Sequence, residues 1–314
     1  MRLGRKITRA FMLALIPVGL GLVLGPRAVR RRVAPAPKIR ARPVFHSVAQ
    51  RLPSLPFAPP QSIAPPNAAL CPDGMLLIDG QYCPELAFRC LKYLGEGRLR
   101  CAEFAQTRRC VGKLQRKKFC IDQYEYPNRE AAKPRLAVTW EEAGQLCREQ
   151  GKRLCASSEW TLACEGPEPL PYPYGFKRDA TLCNVDKPYR FPDNDAYANP
   201  RTRAQEVARL DQRERSGSRP GCVSPYGVYD LTGNVDEWVV NEKGSRTKPP
   251  YVSGLKGGYW GPVRNRCRPI TDVHNMWHSG YQIGFRCCTD APAEVPPRCD
   301  PARRQSTGPE CPSI

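Results

Sequence analysis

Asp230, Asp236 and Glu237 place three carboxylates close together around a Gly233-Asn234 pair. Gly and Asn tolerate positive φ at little cost, so the pair predicts a tight turn, with backbone carbonyls exposed beside the acids. Carboxylate and carbonyl oxygens together are what calcium, a hard cation, takes as ligands. The competing reading is a surface turn with solvated acids. A second candidate lies at His274 and His278, two of three histidines in the chain. Their spacing of four would put both rings on one helix face, as metal ligands can be. A third ligand is not evident, and a packing or surface role beside Trp277 is the ordinary reading. The third chemically competent set is the 16 cysteines. An even number at this density predicts a disulfide framework in an oxidising compartment. Cys71, Cys83, Cys90, Cys101, Cys110 and Cys120 are irregularly spaced and contain no C-x-x-C pair, which argues against zinc.

These groups need elements to hold them. Met75 to Ile78 reads as a strand between two turns, and Cys120 to Tyr126 alternates like another, ended by Pro127-Asn128. Thr139-Trp140-Glu141-Glu142 is a capping box that opens a helix, with Trp140, Ala143, Leu146 and Cys147 on one face and Gly151 placed to end it. A second helix is expected from Ser157 or Ser158 as cap, with Trp160, Ala163 and Cys164 inward. Both helices therefore carry a cysteine on the buried face. Val228 suggests a short strand before the Gly233-Asn234 turn. Residues 167–225 have poor periodicity, and 201–215 reads as an exposed loop or short helix. Gly257-Gly258 marks a close backbone approach. Arg264 to Arg268 reads as a basic strand around Cys267. Gly284 to Cys288 reads as a core strand whose adjacent cysteines face opposite sides and need different partners.

The net charge of +19 invites a nucleic-acid reading, which its distribution removes. Residues 1–68 hold twelve Arg and Lys and no acid; the rest keeps 37 basic and 30 acidic residues, a net +7. No dense basic stripe interleaved with aromatics follows, so no nucleic-acid partner is expected. Residues 1–25 read as a signal peptide or signal anchor: Arg2, Arg5, Lys6 and Arg9 precede an uncharged, mostly apolar run at 10–25. That run offers membrane anchoring, and either outcome places the bulk of the chain outside the cytoplasm. Residues 26–68 form a Pro/Arg-rich linker with too little apolar content for a core. Residues 69–290 form the folded domain, with the Cys-rich segment 71–120 inside it, and 291–314 form a Pro-rich tail in which Cys299 and Cys311 are near enough to pair.

In chain order, Trp140-Glu-Glu-Ala, Gly151-Lys-Arg-Leu, Glu159-Trp160, Gly227-Val-Tyr-Asp-Leu-Thr-Gly-Asn-Val-Asp-Glu-Trp238, Lys256-Gly-Gly-Tyr-Trp260 and Gly284-Phe-Arg286 resemble the formylglycine-generating enzyme, or sulfatase-modifying factor, family. The resemblance implies an α+β, disulfide-rich fold related to C-type lectins, with little regular secondary structure. It implies calcium near Asp230, Gly233, Val235 and Glu237, and a second ion near Asn184 and Val185. It also implies Cys147–Cys287 and Cys164–Cys267 bridges, which the helical-face argument supports independently. The family's enzymes oxidise a sulfatase cysteine to formylglycine with oxygen and copper(I), held by two cysteines ahead of the cysteine that Cys267 matches. Here that interval reads Gly261-Pro-Val-Arg-Asn-Arg266, and Tyr259 replaces the motif's serine. Thiolates suit copper(I) and these residues do not, so copper is not expected.

Three readings follow. The first is an extracytoplasmic, non-catalytic binding module, expected to be a monomer, whose partner is a peptide, protein or glycan. The second is a metal-dependent oxidoreductase or protein-modifying enzyme with a different centre, drawn from Tyr259, Arg264, His274 and His278. The third is an active formylglycine generator that uses Cys155 or Cys288 as a free thiol.

Overall fold

The computed structural model describes residues 70–243 and 248–292. The N-terminal signal or anchor, the linker, and the Cys299–Cys311 pairing expected in the tail lie outside the described residues.

The chain order is β1 (Met75–Tyr82), β2 (Leu86–Leu94), β3 (Arg100–Cys110), β4 (Gln115–Asp122), α1 (Trp140–Arg148), β5 (Arg153–Leu154), α2 (Ser157–Glu165), α3 (Asn194–Ala198), α4 (Arg203–Leu210), β6 (Asp236–Val240), β7 (Ser253–Lys256), β8 (Ile270–Thr271), β9 (Ile283–Phe285) and β10 (Cys287–Asp290). Long loops join short elements, and the architecture is α+β. One sheet has the order β1-β4-β10-β5, a second β8-β7-β6-β9, and β2 and β3 form a separate two-stranded ribbon. In the second sheet β6 runs antiparallel to β7 and parallel to β9.

α1 begins where the capping box predicts. The Thr139 hydroxyl accepts from the Glu142 N–H, and the Glu142 carboxylate accepts from the Thr139 N–H at 2.8 Å. Ala143 and Cys147 face inward. α2 corrects the cap expectation: Ala156 is the N-cap, and Glu159 reaches back to its N–H at 2.8 Å. Ser157 and Ser158 are instead in the first turn, both bonded to the carboxylate of Glu242, an anion at the positive helix end. Every residue of α2 is buried. A helix covered on all sides sits between layers, and α2 packs Trp160 and Leu162 against Ile78, Phe119, Val228 and Val239. A second cluster gathers Val138, Leu154, Trp238, Leu255, Ile283 and Phe285.

Seven disulfides tie this together. In the Cys-rich segment they nest: Cys71–Cys120 outermost, then Cys83–Cys110, then Cys90–Cys101 across the ribbon. Cys147 bonds Cys287 and Cys164 bonds Cys267, so each helix is tied to the C-terminal part of the domain. Cys288, on the other side of β10 from Cys287, bonds Cys155, and Cys183 bonds Cys222. No cysteine among the described residues is free. The free thiol at Cys155 or Cys288 is therefore overturned, because the two are bonded to each other. Arg264 to Arg268 is not a strand either; the chain there is irregular, and pairing begins at β8.

Candidate functional site

β6 opens with Asp236-Glu237-Trp238, and strand alternation sends Asp236 and Glu237 to opposite faces. Glu237 points inward. Its two oxygens accept from Arg286 Nε and Nη2, both at 2.7 Å, and one also accepts from Trp160 Nε1 at 2.7 Å. The pair is sealed, with side-chain exposures of 0 and 1 %. Arg286 spends its remaining donors on the carbonyls of Tyr229, Asp122 and Gln123. Two further buried acids stand nearby. Glu125 accepts from Asn234 Nδ2 and Ser216 Oγ, and Asp230 accepts from the Gly217 N–H at 2.7 Å. Burial raises both carboxyls above the usual range, and the charge of Glu237 adds to it.

Asp236 faces the other way, to the foot of a cleft of about 310 Å³. Leu99, Leu255 and Val263 supply apolar wall, Arg100 and Arg264 supply positive charge, and Gly257-Gly258 lies beside the carboxyl. Gly258 lines the cleft together with Asp236. Burial, followed by the charge of Glu237, pushes the Asp236 carboxyl up to about 7 against the pull of Gly258 and Arg264. The glycine pair is required here. Both residues have positive φ, +85° and +74°, and a Cβ on Gly258 would lie 2.8 Å from Asn265 Nδ2. Arg100 is engaged by Asp186 at 3.1 Å. Arg264 is exposed, and its reach to Thr271 Oγ1 at 3.5 Å is loose.

The structure divides the four candidate residues of the alternative centre. Arg264 lines the cleft. Tyr259 directly follows the glycine pair, but it is buried in an aromatic cluster with Trp260 and Tyr281 and is not a lining residue. His274 and His278 lie on an irregular loop rather than a helix, with rings stacked at 3.9 Å and 10°. Burial lowers the pKa of both. Neither lines the cleft.

The two implied calcium positions are brought together. A Cβ on Gly233 would lie 2.3 Å from the Asn184 carbonyl oxygen, which accepts from the Asn234 N–H at 2.9 Å. Val185 is buried alongside, as is Val235. The fit is uneven. At the Glu237 end a guanidinium occupies both carboxylate oxygens, so this residue does not fit a calcium ligand. At the Asn184 end the side-chain oxygen is buried without a hydrogen-bond partner, which a cation would satisfy. Among the described residues no three His, Cys, Asp or Glu side chains are grouped to hold a metal ion. For copper the donor set is wrong: the interval 261–266 has no sulfur, and Cys267 is bonded to Cys164.

Asp236 itself was visible in the sequence only as one acid of the turn. Its period-2 offset from Glu237 was the available signal for a separate role. The Leu99-Arg100 wall carried no signal, because it comes from the ribbon, a region distant in sequence.

A compact, cross-linked α+β scaffold with a glycine-floored cleft defines a class whose sites are built on loops. The family model for the sulfatase-modifying factor enzyme 1-like domain matches residues 99–291, more than half of the chain, and the protein belongs to this family. The chain is 28% identical over 165 residues to the inactive C-alpha-formylglycine-generating enzyme 2 of Bos taurus, covering 50% of each chain. It is 27% identical over 163 residues to the formylglycine-generating enzyme of Mus musculus, covering 49% of this chain and 38% of that one. It thus spans half or less of the length of these relatives. Among solved structures it is similar to CarF, at 14% identity with a TM-score of 0.43, covering 69% of this chain and 97% of that one. It is also similar to PvdO from Pseudomonas aeruginosa, at 17% identity with a TM-score of 0.42, covering 69% and 94%.

Proposed function

We propose that this protein is an extracytoplasmic, non-catalytic binding module, in which the cleft beside Gly257-Gly258 captures a peptide or glycan. One observation carries the reading. The cleft is formed, while every cysteine among the described residues, Cys267, Cys155 and Cys288 included, is locked in a disulfide. Function resides in sites rather than folds, so a fold without its thiols retains binding and not the oxidation. The similarity to a relative named as inactive supports the same reading. Anchoring through residues 10–25 would hold the module at a membrane surface. Copper-loaded protein incubated with a Cys-x-Pro-x-Arg peptide is expected to leave the cysteine mass unchanged; conversion above a no-protein control overturns the proposal. Binding to peptide and glycan arrays is expected, and is expected to be lost in Val263→Trp, which fills the cleft.

A second reading is an enzyme with a different centre. It is favoured by Asp236, whose carboxyl near neutrality suits general acid–base work. A bound array ligand that is recovered chemically altered by the wild type, and intact after exposure to Asp236→Asn, would select it.

Calcium is proposed as a structural ion at the Asn184–Asp230 end of the turn, with Glu237 excluded as a ligand because Arg286 holds it. A ion bound only to the native state raises its melting temperature. Chelator is expected to lower the melting temperature of the wild type and to leave an Asp230→Ala variant unmoved. Equal melting curves with and without chelator in the wild type would remove calcium from the account.

A further inference from the structure

We propose that the cleft recognises a primary ammonium on an apolar stem, as carried by a lysine side chain, with Asp236 as its anchor. The inference rests on the binding-module reading and adds the ligand class. Three features of the cleft lead to it. First, Asp236 is the single carboxylate among the lining residues and is half-buried in the cleft. A carboxylate can accept from several donors at once, and a half-buried one gains when a cation donates to it. Second, the carboxyl shares the cleft with the Gly258 backbone, whose N–H pulls on it. A guanidinium gains most from a carboxylate offering both oxygens side by side, as Arg286 does with Glu237. An ammonium is a point donor that needs only one. Third, Leu99, Leu255 and Val263 line the same space. They cover the methylenes of a four-carbon stem, which lysine buries while its head stays polar. At about 310 Å³ the cleft has room for one extended side chain and the groups attached to it.

Arg264 decides between two sources of the same ammonium. It is exposed on the cleft lining and among the described residues forms no ion pair, though its charge already acts on the Asp236 carboxyl; Arg100, the other lining cation, is held by Asp186. A free diamine would bring its second ammonium toward Arg264 and be repelled. A lysine presents carbonyl or carboxylate oxygen at the other end of its stem, which Arg264 attracts. The arrangement therefore favours a lysine of a peptide over a polyamine. Glu237 lies behind the strand and is neutralised by Arg286, so it does not compete for the ligand.

The test uses the full chain with four probes: Nα-acetyl-lysine, its Nε-acetylated form, butylammonium and putrescine. Binding is followed by the Gly258 amide signal in NMR and by calorimetry. Nα-acetyl-lysine is expected to bind at least tenfold more tightly than its Nε-acetylated form, and to shift the Gly258 amide. Butylammonium should bind more weakly than Nα-acetyl-lysine, and putrescine no better than butylammonium. Asp236→Asn should lose at least tenfold for the ammonium probes, whereas Arg264→Ala should erase the advantage of Nα-acetyl-lysine over butylammonium. Equal binding of the two lysine forms, or no response of Gly258 to any ammonium probe, overturns the inference. An array ligand without any ammonium that is lost in Val263→Trp would also overturn it, yet leave the binding module standing. Putrescine binding tighter than Nα-acetyl-lysine would overturn the peptide assignment.

Discussion

Glu237 meets a guanidinium on both oxygens and an indole N–H, with no solvent in reach. Asp236, one residue earlier, lines an open cleft beside Gly258 and Arg264. The two share a strand and a side-chain chemistry, and the pleat alone separates them. The difference teaches how this scaffold distributes its charges. On the inner face a buried charge is matched and serves to fix the packing of β6 on β9 and α2. On the outer face a charge is left with spare acceptors, which is the condition for recognising something else. Lys256 shares the inner face but has only neutral hydrogen-bond partners: it lies opposite Glu237 in the β6–β7 register, its Nζ donates to the carbonyls of Cys267 and Arg268, and it stands over the Trp160 ring at 5.1 Å.

Breaking the inner face should cost the most. Arg286→Met leaves Glu237 buried without its cation and is expected to lose about 3–5 kcal/mol in urea unfolding. Adding Glu237→Met to the same chain should recover most of that loss, since an apolar pair of similar volume often replaces a buried ion pair without penalty. A loss below about 1 kcal/mol for the single variant would mean that the pair is wetter than described.

The next effect is read through pH. Burial pulls the Lys256 pKa from 10.5 down to about 7, so the unfolded chain binds more protons than the native one between those values. Stability must then rise as pH rises from about 7 towards 10.5, by an amount on the order of 4–5 kcal/mol. Below pH 7 both states are protonated there and this slope vanishes. Lys256→Met should flatten the rise, whereas the same slope in wild type and variant would assign it to other groups.

The smallest effect belongs to the outer face. Asp236→Asn retains shape and removes a charge that burial disfavours, so at neutral pH the unfolding free energy should stay level or rise rather than fall. A large destabilisation would show that Asp236 is structural, and would dissolve the contrast with Glu237.

Much of the scaffold was legible in the chain. The Thr139–Glu142 box placed the start of α1 to the residue, because capping is a local exchange of two hydrogen bonds; its end comes at Arg148, ahead of the expected Gly151. Gly233-Asn234 was recognised as a positive-φ turn, and the structure has +84° and +54° there. Inward cysteines on both helices, together with the family resemblance, pointed to Cys147–Cys287 and Cys164–Cys267. The basic run around Cys267 misled, since a cysteine held by a helix does not need a strand to carry it. Ser157 and Ser158 misled as caps because Glu242, far along the chain, supplies the acceptor at that helix end.

Local exchanges of this kind, the cysteine count and the missing sulfur between Trp260 and Cys267 were settled by the sequence itself, since each depends on residue type and near neighbours. The nesting of the three disulfides of the Cys-rich segment, the burial of Arg286 on Glu237 and the place of Leu99 and Arg100 in the same cleft as Asp236 were decided only in three dimensions. Each joins residues far apart in the chain, and no local preference selects one distant partner over another until the sheets and α2 have packed.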